Sequence, residues 1–236
     1  MNQECLAPRA RIIPHILEGW WKRWIRRRRR CAALRLALAS IVLLIWPAAA
    51  SSAEGGSSPS SSPFAKGRQS VSLLGGYGIG LPIGVGKGTD LEDVRMWAVL
   101  PSWGIGLTDP VGGDAWYRGN LEVVIEGALL FNTEPTSGFA GGATVNLRYN
   151  FLRAGRFVPY VESGAGLADL NFDLDRQADG LNFFLQVGLG ARWLLTDRLA
   201  LLGGWRFHHI SNANSSVPNN GLDSSLFVAG MTVFFD

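Results

Sequence analysis

The sequence predicts an all-β protein, specifically an eight-stranded antiparallel transmembrane β-barrel of the bacterial outer-membrane kind. Three observations carry this. The 236 residues include 30 glycines and a succession of apolar runs alternating with period two. The apolar members of those runs share one parity, and the opposite parity collects charges of both signs. Several runs reach 12–16 residues, beyond the ~5–6 of an ordinary strand but enough for a tilted barrel wall needing about 9–11.

The chain divides into three parts. Residues 1–53 read as a signal peptide, with an over-extended start: Arg26 to Arg30 precede the apolar run Leu36 to Trp46, then Pro47 and small residues up to Ala53. Cleavage is expected after Ala50 or Ala53. That run is too short for the ~20 residues of a spanning helix. Residues 54–68, with Ser57, Ser58, Pro59, Ser60, Ser61, Ser62 and Pro63, read as a flexible periplasmic lead-in. Residues 69–236 form the barrel.

The formal charge of +3 belongs to the first part. Residues 1–53 hold ten Lys/Arg and two Asp/Glu, so the remainder holds 12 basic and 17 acidic residues, a net of −5. A nucleic-acid partner is therefore not expected. Both cysteines, Cys5 and Cys31, also fall in the leader, which leaves the mature chain no disulfide and no thiolate metal site.

Strands are expected at about 69–80, 94–106, 116–131, 139–151, 157–169, 181–194, 199–211 and 224–235. In the sixth, Leu181, Phe183, Leu185, Val187, Leu189, Ala191 and Trp193 alternate with Asn182, Phe184, Gln186, Gly188, Gly190 and Arg192. Val71, Leu73, Tyr77 and Ile79 repeat the odd-numbered apolar set, as do Leu121, Val123, Ile125, Leu129 and Phe131, and Val145, Leu147, Tyr149 and Phe151. The even face carries Glu122, Glu126, Glu162, Arg148, Arg192 and Arg206. A soluble sandwich would turn its apolar face inward. A membrane barrel inverts this, and three acids balanced by three bases suit a closed polar lumen. Trp103, Trp116, Tyr117, Tyr149, Phe151, Phe157, Trp193, Phe234 and Phe235 fall near strand ends, where interfacial girdles are expected. With both termini periplasmic, the connections near 81–93, 132–138, 170–180 and 212–223 face outward.

Chemistry concentrates in the last of these. In a strand, residues two apart share a face, so His209 and Ser211 point the same way. A hairpin through 212–222 returns the Asp223 carboxylate beside the imidazole, giving nucleophile, base and orienting acid. All three have lipid-facing parity, where polar groups are costly and usually functional. His208, of opposite parity, reads as a lumen residue. Asn212, Asn219 and the backbone N–H groups after Ser211 are candidate oxyanion donors, and Pro218 and Gly221 shape the loop.

His209-Ile210-Ser211-Asn212, Pro218-Asn219-Asn220-Gly221 and Asp223 resemble the signature of the PagL-type lipid A 3-O-deacylases. Pro159-Tyr160-Val161-Glu162-Ser163-Gly164 and Gln186-Val187-Gly188-Leu189-Gly190 resemble such barrels more generally. In that family the acid is commonly Glu, so Asp223, one methylene shorter, is a departure. The resemblance implies a serine esterase of the outer membrane. Its substrate would be lipid A of lipopolysaccharide, met at the outer leaflet, and a hydroxy fatty acid would be released without metal or cofactor. Two other readings are a non-catalytic structural or adhesive barrel, in which Ser211→Ala changes no lipid, and a lipid A acyltransferase, separated by its product. Dimerisation through the lipid face is left open by the sequence.

Two further patterns carry little. Gly84-Val85-Gly86-Lys87-Gly88-Thr89 lacks the ending and following helix of a phosphate loop. Asp169, Asp173, Asp175 and Asp179 lack the spacing of a helix-loop-helix calcium site and read as a solvated acidic loop.

Overall fold

The computed structural model describes residues 62–83 and 89–236. The expected signal peptide, both cysteines and most of the Gly84–Thr89 stretch lie outside them. Eight strands, β1 (Gln69–Gly80), β2 (Arg95–Gly106), β3 (Gly119–Glu134), β4 (Gly138–Phe151), β5 (Phe157–Asn171), β6 (Gly180–Leu194), β7 (Leu199–Ser211) and β8 (Leu222–Phe235), pair each with the next. β8 returns antiparallel to β1, from Gln69 opposite Phe235 to Gly80 opposite Ser224, and closes the barrel. A single helical turn, α1 (Thr89–Glu92), interrupts the β1–β2 connection. Closure leaves no edge, so every strand finds backbone partners on both sides, as a sheet surrounded by hydrocarbon requires.

The parity expected from the sequence is observed. Odd-numbered Leu73, Trp97, Val145, Leu185, Leu189 and Met231 stand exposed on the outer wall, while even-numbered neighbours are buried in the lumen. Tyr77 packs on Trp97 and Phe131 on Phe139 towards the loop end. Trp116 packs on Tyr117, Tyr149 on Phe151 and Phe157 on Trp193 towards the end that carries the termini. These are the two girdles of a membrane barrel. Phe234 is not part of them. Its even parity turns it inward, where it is buried against Phe64, Val158 and Ala200.

Phe64 corrects the expectation of a lead-in without packing, at least from residue 62 onward. Its ring stacks edge-on with Phe234 at 5.6 Å and closes the lumen at the end of the termini. Gly67 N–H donates to Gly106 O (2.8 Å), and Arg68 pairs with the Asp236 carboxylate. Averaged over a Ser/Pro-rich stretch, one aromatic leaves no compositional signal.

Above this stopper lies a belt of charge. Arg192 pairs with Glu122 (2.8 Å), Arg148 with Glu162 (2.7 Å), and Arg206 with both Glu126 (2.6 Å) and Glu162 (2.7 Å). The glycines of the inner face make room for these long side chains. A Cβ at Gly190 or Gly204 would stand 2.5 or 2.6 Å from the Tyr160 hydroxyl, whose ring lies under the Arg148 guanidinium. Towards the loops the lumen becomes apolar, with Leu74, Met96, Leu130, Phe172, Phe184, Ile210, Leu222 and Leu226 packed together.

Two boundaries differ usefully from expectation. β3 starts at Gly119 rather than 116, because Ala115 N–H and Arg118 N–H are spent on turn bonds to Gly112 O and Ala115 O. β8 starts at Leu222, two residues early, which places Asp223 inside the strand ladder.

The inverted parity is testable. Val145, outward in the middle of β4, would tolerate arginine on a water-facing sheet. In a bilayer Val145→Arg is expected to lower stability by about 2–4 kcal/mol, read from equilibrium urea unfolding in phospholipid vesicles.

Candidate active site at the β7–β8 hairpin

In the β7–β8 ladder His209 stands directly opposite Asp223. Their side chains meet on the outward face, Nδ1 to Oδ1 at 2.6 Å, with the imidazole 35% exposed and the carboxylate 9%. The shorter acid reaches the ring because the two residues are register partners. Leu81 N–H donates to Asp223 O (2.9 Å) and fixes that backbone from the β1 side. A carboxylate accepting from Nδ1–H leaves Nε2 as the basic atom of a partly exposed ring.

Ser211 follows two residues along β7 on the same face, half-buried, and its hydroxyl makes no hydrogen bond among the described residues. On β6, Phe183 lies opposite Ser211 and Leu185 opposite His209. Together with Leu181 and Val187 they form an exposed apolar strip beside the polar group. The structure thus brings Ser211, His209 and Asp223 onto two neighbouring strands of a closed sheet, at the boundary between a greasy wall and a polar loop.

The loop is ordered by its own side chains. Ala213 and Asn214 adopt φ of +52° and +62°, and Ser215 N–H closes a turn on Asn212 O (3.0 Å). Asn219 Oδ1 accepts from Asn212 N–H (2.9 Å), while Asn219 Nδ2 donates to Asn214 Oδ1 (3.0 Å). Asn212 Nδ2 donates to Ser216 Oγ (2.9 Å). Both asparagine amides and the N–H after Ser211 are therefore engaged within the loop. Their loop-shaping part is visible, and each amide nitrogen uses one of its two hydrogens in it.

Pro218 O accepts from Ala178 N–H (2.8 Å), and Asn220 N–H donates to Arg176 O (3.0 Å), so Pro218-Asn219-Asn220-Gly221 is laid as a short ladder on the β5–β6 loop. Gly221 has φ of +74°, and a Cβ there would stand 2.9 Å from His209 Cε1. Only glycine supplies both the backbone conformation and the clearance over the ring.

His208 takes the opposite direction, as its parity predicts. It is 1% exposed, edge-on to Phe184 at 4.8 Å, and neither ring nitrogen has a partner. The acidic loop is more structured than a solvated one: Asp179 Oδ1 accepts from Phe172 N–H (2.8 Å) and Asp173 N–H (3.1 Å), and Phe172, Leu174 and Gln177 are buried beneath it. Gln177 has no place in the sequence motif. A polar residue in a polar loop gives no sign of being enclosed.

The family described as lipid A 3-O-deacylase (PagL) matches residues 77–232. No curated protein matches the chain in sequence. Among solved structures, the crystal structure of the outer membrane enzyme PagL is 19% identical with a TM-score of 0.52, covering 69% of this chain and 98% of that one. The crystal structure of Neisserial surface protein A is 17% identical with a TM-score of 0.51, covering 71% and 99%. At such identities the two structures establish a shared fold, which by itself does not choose an activity.

Gly221→Ala should push the imidazole away from Asp223 while leaving the barrel closed. The expected outcome is a shift of the His209 side-chain ¹⁵N resonances with those of His208 unchanged, and a stability loss of about 1 kcal/mol or more from the positive φ.

Proposed function

Because the chain belongs to the PagL family of lipid A 3-O-deacylases, located in the outer membrane, we propose that it hydrolyses the 3-O-linked hydroxyacyl ester of lipid A with Ser211 as nucleophile, His209 as base and Asp223 as orienting acid. The observation that carries the mechanism is the 2.6 Å contact between His209 Nδ1 and Asp223 Oδ1 on the outward face, with Ser211 two residues along the same strand. A hydrogen-bonded imidazole and carboxylate beside hydrocarbon are an expensive structural ornament but a useful catalytic one.

Ser211 Oγ attacks the ester carbonyl as Nε2 takes its proton. The tetrahedral oxyanion collapses, the C–O bond to the sugar breaks, and Nε2 returns the proton to the departing alkoxide. Water then attacks the acyl-serine, again through Nε2, releasing the fatty acid and restoring Ser211. Asp223 holds the tautomer that keeps Nε2 available and stabilises the imidazolium formed twice in the cycle. In this reading the loop end faces the outer leaflet. The acyl chain lies along Leu181, Phe183, Leu185 and Val187, whose exposure beside the group favours an apolar substrate. Asn212 and Asn219 keep the residues after Ser211 in the conformation from which donors for the oxyanion are drawn.

Mass spectrometry of lipid A tests the reading, comparing Gram-negative cells that make the unmodified chain with cells that make Ser211→Ala at equal membrane abundance. One hydroxyacyl chain is expected to disappear only with the unmodified protein. Identical lipid A from both, with folded barrels and a lipid A carrying the ester, would support the non-catalytic barrel instead. Asp223→Asn is expected to lower kcat on the order of 10²–10⁴-fold, because the orienting charge is lost. Asp223→Glu, which keeps the charge, should retain more activity than Asp223→Asn.

A further inference from the structure

We infer that Gln177, in the β5–β6 loop and outside the signature, is a positioning residue for the proposed catalytic group; the inference rests on the esterase reading above. Gln177 is 1% exposed although its neighbours Asp175 and Arg176 face solvent. Its side chain uses every group it has. Nε2 donates to Asn182 Oδ1 (2.8 Å) and to Asn219 Oδ1 (3.3 Å), and Oε1 accepts from Gly221 N–H (3.0 Å).

The direction of these bonds is imposed from outside the amide. Ala178 O and Gly180 O can only accept, so Asn182 must turn its Nδ2 to them (3.3 and 2.9 Å) and its Oδ1 to Gln177. That places the nitrogen of Gln177 towards Asn182 and leaves its oxygen for Gly221 N–H, which can only donate. Asn219 obeys the same logic, since its Oδ1 already serves the obligatory donor Asn212 N–H.

Two arms run from this amide to the catalytic residues. Through Gly221 it fixes the backbone lying over His209 Cε1 and leading, two residues on, to Asp223. Through Asn219 it fixes the N–H of Asn212, the residue that follows Ser211. One buried side chain from a different hairpin therefore fastens both the chain leaving Ser211 and the chain entering Asp223 to the same point. The backbone rungs between Ala178 and Pro218 and between Asn220 and Arg176 do not depend on it. Removing the amide is accordingly expected to loosen the geometry without dismantling the loop.

The variant is Gln177→Met, of similar length but without hydrogen bonds, assayed as the full chain on purified lipid A and normalised to the folded, heat-modifiable form. A misplacement of the order of 1 Å costs up to ~10²-fold, so kcat is expected to fall about 10–100-fold. KM should stay within about two-fold, because a buried residue that touches no substrate contributes no uniform binding. The labelling rate of Ser211 by a fluorophosphonate, read on the folded band alone, should fall with kcat. This keeps a poorly folding preparation informative. Gln177→Glu, which keeps an acceptor for Gly221 but turns a buried carboxylate oxygen on the Asn182 and Asn219 oxygens, should fall at least as far. Turnover per folded barrel equal to the unmodified chain, a rise in KM at constant kcat, or unchanged serine labelling would each overturn the inference. Absence of deacylation by the unmodified chain would instead overturn the esterase reading beneath it.

Discussion

Among the described residues three acids and three bases share the lumen, and their mutual pairing is the constraint on which the rest of the structure depends. Glu162 is held between Arg148 and Arg206, Arg206 forks onto Glu126, and Arg192 closes on Glu122. Deleting one partner would strand a buried charge at a cost of about 3–5 kcal/mol. With both signs present in equal number and each within hydrogen-bonding reach, the belt satisfies its own charges. Phe64 and Phe234 cap the belt at one end, and the apolar cluster around Phe172, Phe184 and Ile210 fills the other.

The candidate site stands on the outward face of two paired strands. A strand pair in a closed sheet has fixed register, so two side chains directly opposite each other meet with a precision that a loop alone rarely gives. His209 and Asp223 are such a pair. The departure at the acid is absorbed here, because aspartate, standing straight across the ladder from the ring, reaches it at 2.6 Å. β8 begins early enough to hold Asp223 in the ladder, and the bond from Leu81 secures it on the far side.

What the sequence made legible follows from periodicity. Period two is the only geometry a strand has, so the odd-out, even-in assignment of Leu73, Val145, Glu122 and Arg206 could be read directly, and with it the common face of His209 and Ser211 and the inward turn of His208. Closure followed from length and number of strands. Features without a period were hidden. Phe64 sits in a serine-rich stretch where composition argues against packing, and Phe234 was grouped with the girdle aromatics by proximity to the strand end although its parity pointed inward. Gln177 lies in a loop whose aspartates suggested solvent. Its burial arises from the packing of one hairpin loop on another, a contact between segments more than 40 residues apart that no local pattern encodes.

The two loops also divide the work differently from the strands. Strand register aligns the imidazole with its acid, but the setting of the N–H groups beyond Ser211, the last residue of β7, depends on the chain that follows it. That chain turns away from the ladder at once, since Ala213 and Asn214 leave the strand in left-handed conformations. Asn219 ties it back, and Asn219 in turn leans on the β5–β6 loop through Gln177 and through the rung from Ala178 to Pro218. A loop attached only at its two ends would let the N–H groups beyond Ser211 shift, although Ser211 itself is held opposite Phe183 in the β6–β7 ladder. Fastening the loop along its length to a neighbouring hairpin restricts that shift before substrate arrives, so less of the binding energy of an acyl chain is consumed in ordering the site and more is available to the transition state.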